Sequence, residues 1–431
     1  MQVIFAERRK TGQLDLEQVE MGLRAAVHRG GAPALAHLLD QGPPEERKRS
    51  CSCGRAARYV ETRWRSILTV LGPVEVCRAY YWCNACQQSQ IPADQEWDIE
   101  GTEFSPGVRR MMALVGQECS FDAGRQQLEM LAGLEVTTKA IERIAESIGS
   151  DIEVRERETH QQAMQSNLPV VVGLPIPVLY IEMDGTGIPV VAAETEGRAG
   201  KIEGQPPRTR EVKLGCVFTQ TLRDDEGRPI RDPDSTTYTG AIESTELFAR
   251  RIYTEALQRG WDRALKKVVL GDGARWIWAL VELLFPGAIQ IVDLYHAREH
   301  LWTMAAQLYP GDDARQRRWA MVQQNRLDHG HVAKIVATLH LLVADSPKLC
   351  QQLQTEADYF ERNAERMRYP EFRRQGLFVS SGVIEAGCKT IGARLKRSGM
   401  FWTVRGANAI LALRCQMLSG KFDDYWEARR A

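Results

Sequence analysis

The chain lacks an excess of either charge: Lys plus Arg and Asp plus Glu number 56 each, so the formal net charge is zero. That balance excludes a histone-like or wholly basic protein, but local patches rather than totals meet phosphates. A long apolar run is also missing. A membrane helix needs about 18 to 20 apolar residues, and the best stretch, Pro169–Ile181, is broken by Gly173, Pro175 and Pro177. The opening MQVIFAERRK holds too short an apolar stretch for a secretory signal. A cytoplasmic protein is therefore expected. There is no internal repeat and no low-complexity tract. With 44% hydrophobic and 26% charged residues over 431 positions, the composition is that of a folded chain of two or three domains, not a disordered one.

What is present begins with cysteine. The ten cysteines do not read as a disulfide framework. Cys51, Cys53, Cys83 and Cys86 lie together, whereas the others are scattered singly, as buried small hydrophobes are. Cys83-Asn-Ala-Cys86 has the C-x-x-C spacing of a metal knuckle; Cys51-Ser-Cys53 is one residue short of it, with Cys77 as a substitute ligand. Between the pairs, β-branched and aromatic residues flank Gly72-Pro73, which predicts strands joined by a turn. This is the layout of a zinc-ribbon-like β unit, in which structural Zn²⁺ supports a sheet too small for its own core. Reduced thiols are the alternative. Between Arg47 and Arg65 seven basic residues face one acid, Glu61. Arg47, Lys48, Arg49, Arg63 and Arg65 are candidate DNA contacts, against a solvated basic loop.

Apolar spacing predicts a helix over 14–39, then a polar linker over 41–49. Ser105-Pro106 reads as a helix start, and helices are expected at 106–119, 121–132 and 138–152, either a helix-turn-helix or a plain bundle. After Pro169 the pattern changes. PVLYIEMDGTGIPVVAAE reads as strand, tight turn and strand, EVKLGCVFTQT as a third strand, and 244–259 as a helix. KKVVLGDGARWIWALVELLF and AIQIVDLYHAREHLW each read as a strand feeding a helix. The order β-β-β-α-β-α-β-α predicts an α+β or α/β multidomain protein with an RNase H-like mixed sheet. From Arg298 to Gly376 the chain is polar and helical. The expected domains are a helical segment at 1–46, the zinc-ribbon-like unit at 47–98, a helical segment at 99–166, and a catalytic domain at 167–431 with a helical insertion at about 298–378.

Three acids stand out by position. Asp184 and Asp272 each end an apolar strand and precede glycine, and Glu385 lies in the first turns of SGVIEAGCKTIGARL. In an RNase H-like sheet the first and fourth strands are neighbours, so carboxylates at their ends converge. Such a cluster of hard oxygen ligands suits two Mg²⁺ or Mn²⁺ ions. Taken singly, Asp184-Gly185 is also a hairpin turn, Asp272 a helix cap, and Glu385 a complement to the helix dipole. Their joint order on the required elements is the stronger signal. HAREH also fits H-x-x-E-H, with His296 and His300 as zinc ligands and Glu299 as base.

The strings IEMDGTGIPV, VVLGDGARWIW, IVDLYHAREHLW and SSGVIEAGCKTIGARLKRSGMFW, with the upstream CSCG and RAYYWCNAC, resemble insertion-sequence DDE transposases of the Kra and mutator-like kind over nearly the whole chain. The resemblance implies that Asp184, Asp272 and Glu385 are the catalytic, metal-binding carboxylates. It implies an all-helical insertion between the last two, and a supporting role near the scissile phosphate for His296 of Asp293-Leu-Tyr-His296. The implied chemistry is hydrolysis at transposon ends, then attack of the freed 3′-hydroxyl on target DNA. The implied partners are terminal repeats, target DNA and a second copy of the chain, at the nucleoid. Lys389, Arg394, Lys396 and Arg397 would grip phosphates beside Glu385. A catalytically silent DNA-binding derivative and an RNase H-like nuclease remain the rival readings.

Overall fold

The structure, a computed structural model, describes residues 9–10, 13–40, 42–169, 172–198, 200, 207–343 and 346–429. Met1–Arg8, Gln41 and Val170–Val171, on which the signal, linker and apolar-run readings partly rest, lie outside the described residues. Among the described residues no helix is long and apolar enough to cross a membrane. Two compact units form, Met1–Ser147 and Ile148–Ala431.

In the first unit, helix α1 (Leu16–Leu39) starts where Asp15 accepts the Gln18 amide at 3.3 Å. The sheet is antiparallel throughout: β1 (Lys48–Ser50), β2 (Ala56–Thr69), β3 (Gly72–Cys83) and β4 (Gln88–Gln90), in that spatial order. Alternation along β2 and β3 sends Ile67, Val74 and Val76 to one face, where Ile99 and the α1 residues Ala32, Leu35 and Ala36 cover them. A short helix, α2 (Pro92–Glu96), is clamped to the sheet through Asp94, which accepts from buried Arg78 at 2.7 Å and from Arg65 at 3.2 Å. Then follow α3 (Pro106–Glu118), capped by Ser105, and α4 (Phe121–Gln127), capped by Ser120, which ends in a π-helical turn, Leu128–Ala132. The expected third helix is longer than its sequence pattern: α5 runs Thr138–Met164, not to Ile152. The extra turns are polar, and ion pairs such as Arg155–Asp151 at 3.3 Å support them in place of an apolar stripe.

The second unit is built on a five-stranded mixed sheet. Its strands are β5 (Ile176–Pro189), β6 (Thr209–Gln220), β7 (Thr237–Ala241), β8 (Ala264–Gly271) and β9 (Ile289–Val292), in the order β7-β6-β5-β8-β9. β5, β6 and β7 are antiparallel neighbours, whereas β8 runs parallel to both β5 and β9. The expected tight turn at Asp184-Gly185 is absent. β5 passes straight through it, and Asp184, Gly185 and Thr186 pair with Leu214, Lys213 and Val212 of β6. Two strands read from PVLYIEMDGTGIPVVAAE are thus one, and the third strand is TYTGA at β7, which sequence reading missed. β7 is an edge, blunted by side chains: Asn408 accepts the Ile242 amide at 2.8 Å and Ser419 the Tyr238 amide at 2.8 Å.

Helices cover the sheet: α6 (Thr245–Gln258), α7 (Arg275–Leu284), α8 (Leu294–Leu308), α9 (Asp313–Asp328), α10 (Val332–Leu341), α11 (Pro347–Arg362), α12 (Tyr369–Arg374), α13 (Gly382–Leu395), α14 (Val404–Leu418) and α15 (Phe422–Ala428). Between β9 and α13 the described residues contain helix and turn but no strand. α6 anchors to Glu156 of α5 through Arg251, a residue 4% exposed whose guanidinium bonds Glu156 at 2.7 Å and Glu243 at 2.8 Å. Beside it, burial and the Arg251 charge hold the His160 imidazole down at about 3.

That depressed value has a definite sign. As pH falls below about 6.5 the unfolded chain takes up the imidazole proton before the folded one does. Stability present above about 6.5 is therefore lost progressively as pH falls toward the folded value, by at most about 1.4 kcal/mol per unit. His160→Gln is expected to flatten the fall of the urea midpoint between pH 6.5 and about 4. An equally steep fall in the variant would assign the acid sensitivity elsewhere.

Candidate functional site

β5 and β8 are parallel neighbours, with Met183 opposite Gly271. The next residue on each is an aspartate, so Asp184 inside β5 and Asp272 just past β8 stand side by side. Asp184 is half-buried. Its Oδ1 accepts the Gly185 amide at 2.6 Å and its Oδ2 the Cys388 thiol at 3.3 Å. Burial holds its carboxyl above the usual range despite those two bonds; the Asp272 charge adds to the rise and His296 opposes it. Asp272 Oδ1 accepts the Ala274 amide at 2.9 Å, turning the chain into α7. Glu385 is exposed in the first turn of α13, which packs on β5, and Lys389 one turn on approaches it at 3.9 Å.

The helical insertion reaches this corner through α11. Tyr359 donates to the Asp272 carbonyl at 3.2 Å and stacks on His300 at 4.0 Å, while His300 Nδ1 bonds Glu356 Oε2 at 2.8 Å. Gly273 is required by this contact: its φ is +91°, and a Cβ there would stand 2.7 Å from Tyr359. Gly273→Ala must strain the backbone and displace Tyr359, at a cost of about 1–3 kcal/mol. A lowered melting temperature is expected, and a variant as stable as the parent would mean that Tyr359 yields freely.

Two further acids lie beneath the site. Glu182 sits two residues before Asp184 on β5, fully buried, and burial pushes its carboxyl up to about 8 although the Ile384 amide donates to it at 2.8 Å. Asp293, 1% exposed, caps α8 and also receives the Ser381 hydroxyl at 3.0 Å and the Ser381 amide. Sequence reading missed Glu182 and Cys388. The one available signal was a carboxylate inside the apolar run VLYIEM at the same parity as Asp184.

The cysteines form the second candidate centre. Among the described residues, the group of three or more His, Cys, Asp or Glu side chains whose ligand atoms all lie within 4.8 Å of one another is Cys51, Cys53, Cys83 and Cys86. Cys51 and Cys86 sulfurs are 3.5 Å apart and those of Cys53 and Cys83 3.6 Å. Tetrahedral zinc with bonds of about 2.3 Å sets sulfur–sulfur separations near 3.8 Å; a disulfide would need about 2.05 Å. The arrangement can hold a metal ion. Backbone amides favour thiolates here: that of Cys53 brings Cys51 down to about 6, and that of Cys86 lowers Cys83, while burial raises Cys86 to about 12. The short C-x-C is accommodated because Gly54 takes a left-handed φ of +78° and donates to the Cys51 carbonyl at 2.9 Å. Cys77 stands outside the group, facing Trp64 across the ladder.

Other expectations need correction. Arg65 faces inward, its guanidinium held by Asp94 and the carbonyls of Ile99 (3.3 Å) and Thr102 (2.6 Å). Arg394 is 1% exposed, buried over Trp402. Neither guanidinium is presented to phosphate. Arg47, Lys48, Arg49 and Arg63 are exposed, with Arg47 over Tyr59 and Arg63 over Tyr80. Lys389 is exposed beside Glu385, and Lys396 and Arg397 are exposed at the far end of the same helix, where Lys396 reaches Thr186 of β5. The scattered cysteines are not uniformly buried, since Cys350 is exposed. Among the described residues His296 and His300 belong to no group of three or more ligand side chains within 4.8 Å of one another, so the H-x-x-E-H reading finds no assembled zinc site. Among the described residues the oxygens of Asp184, Asp272 and Glu385 are not gathered within 4.8 Å of one another as the cysteine sulfurs are.

No family model matches the chain. It is similar to the UPF0236 protein in vanSb 3′region of Streptococcus gallolyticus, at 22% identity over 353 residues, covering 79% of this chain and 70% of that protein. Among solved structures it is similar to the Drosophila P element transposase strand transfer complex, at 11% identity and a TM-score of 0.24, covering 75% of this chain and 80% of that one.

Proposed function

We propose that this chain is a DNA transposase of the DDE type, with an RNase H-like catalytic unit that cuts transposon ends and joins them to target DNA. The observation that carries the reading is the placement of Asp184 on the central strand beside Asp272 at the end of its parallel neighbour, with Glu385 on the helix packed against that strand. The strand order β7-β6-β5-β8-β9, antiparallel on one side and parallel on the other, fits an RNase H-like sheet.

Asp184, Asp272 and Glu385 would hold two Mg²⁺ or Mn²⁺ ions, since carboxylate oxygens are the donors such hard cations take. When bound, the metals supply activation of a water or 3′-hydroxyl and stabilisation of the leaving oxygen. The protein's part is to hold the carboxylates at fixed places, with Asp184 and Asp272 set by adjacent strands. His296, in the first turns of α8, is close enough for its charge to act on Asp184 and would support the scissile phosphate. Lys389, Lys396 and Arg397 would neutralise phosphates beside the site, and Arg47, Lys48, Arg49 and Arg63 would do so on the sheet that carries the four clustered cysteines. At least a dimer is expected on DNA, because two ends must be joined. The test is incubation of the protein with DNA carrying the element's own ends and Mg²⁺ or Mn²⁺. Nicks with 3′-hydroxyl termini, followed by joined products, are expected. Cutting without joining would make the chain a nuclease.

A further inference from the structure

We infer that Glu182 and Asp293 are positioning residues that cap the Glu385 helix from outside it and so set where Glu385 stands. This rests on the reading of Asp184, Asp272 and Glu385 as the metal-binding acids.

The first amides of a helix need acceptors that the helix itself cannot supply. An N-cap Ser, Thr, Asp or Asn side chain usually provides one. At α13 that device is missing, since Ser381 makes no side-chain cap bond. Its hydroxyl instead donates to Asp293 Oδ2 at 3.0 Å, as does its amide, while the Ile384 amide donates to Glu182 Oε2 at 2.8 Å. Both acceptors are buried. Burying carboxyl groups costs free energy unless they are bonded, so a local serine cap would be the cheaper way to end a helix.

The imported caps tie α13 to the two strand ends that carry the other acids. Glu182 shares a face of β5 with Asp184, two residues away. The Asp293 amide donates to the Gly271 carbonyl at 2.8 Å, directly before Asp272. Glu385 follows Ile384, whose amide is the anchored one. A shift of either strand end therefore moves Glu385 with it, and the relative placement of the three acids is held rather than left to the helix.

The test compares the full-length protein with Glu182→Gln, which keeps an acceptor oxygen, and Glu182→Met, which keeps the volume without it. Hydrogen exchange over 380–396 is read together with Mn²⁺-dependent cutting of the element's ends. Glu182→Met is expected to exchange the first turn of α13 faster and to cut about a hundredfold more slowly, the usual cost of misplacing a reacting group by about 1 Å. Its DNA affinity should hold, and more Mn²⁺ should be needed for half-maximal cutting. Glu182→Gln should match the parent in exchange and stay within about threefold in rate. Parental exchange and cutting in Glu182→Met would overturn the inference, as would an equal loss in Glu182→Gln. If Glu182→Met does not fold, Glu182→Gln decides alone: faster exchange or a loss beyond about tenfold overturns it. A parent protein that never cuts defeats the proposed function, and the exchange data still decide the positioning.

Discussion

Asp184→Asn, Asp272→Asn and Glu385→Gln should each slow DNA cutting by about a thousandfold or more, because several kcal/mol of transition-state stabilisation pass through metal ions these groups would hold. DNA binding should survive, since removing negative charge beside phosphates does not weaken their attraction. The three variants should differ in stability. Asp184 is half-buried, and both burial and the Asp272 charge oppose its ionisation. Asp184→Asn is therefore expected to melt no lower than the parent in the absence of divalent metal. Glu385 is exposed, so Glu385→Gln should leave melting unchanged. Parent-like cutting by Asp184→Asn removes the mechanism outright. A parent that binds the element's ends and never cuts with either metal makes the chain a DNA-binding derivative.

Cys83→Ser should strip zinc from the protein and melt the sheet of the first unit. The four sulfurs already stand near tetrahedral separations, and Cys83 ends β3, so its loss frees the strand that pairs with both β2 and β4. Structural zinc binding carries apparent free energies of about 10–16 kcal/mol, which become folding free energy in a small β unit. A loss of even about 3 kcal/mol would lower that unit's melting temperature by roughly 10 °C. The checks are one zinc per chain by elemental analysis in the parent, loss of zinc in Cys83→Ser, and chelator-sensitive melting of residues 1–147. DNA affinity should fall with the metal if Arg47, Lys48, Arg49 and Arg63 act from this sheet. The zinc assignment fails if the purified parent holds no zinc and its melting ignores chelators.

Much of the candidate site was legible because its signals are local. Asp272 between an apolar strand and a helix was read correctly, since Gly271 ends β8 and the Asp272 side chain turns the chain into α7. The start of α13 was legible at Ser380–Gly382. MDGTG misled because Asp-Gly is a hairpin signal, whereas here neighbours on both sides hold Asp184 to Gly187 in one strand. Arg65 and Arg394 were misread for a related reason. Charge in a sequence shows neither its burial nor its partner, and Asp94 lies 29 residues from Arg65.

The sequence by itself determined most of the helices and the strand ends at β8 and β9, where several caps fall, and which thiols and acids are available, because alternation and capping act over a few residues. Only the tertiary structure decided that TYTGA is an edge strand, that Cys51 meets Cys86 across 35 residues, and that Glu182 meets Ile384 across 202. Those pairings depend on which strand lies beside which. Short-range propensity does not encode that order; it follows from burying the apolar faces of β5, β6 and β8 while the Ser381 and Ile384 amides still find acceptors.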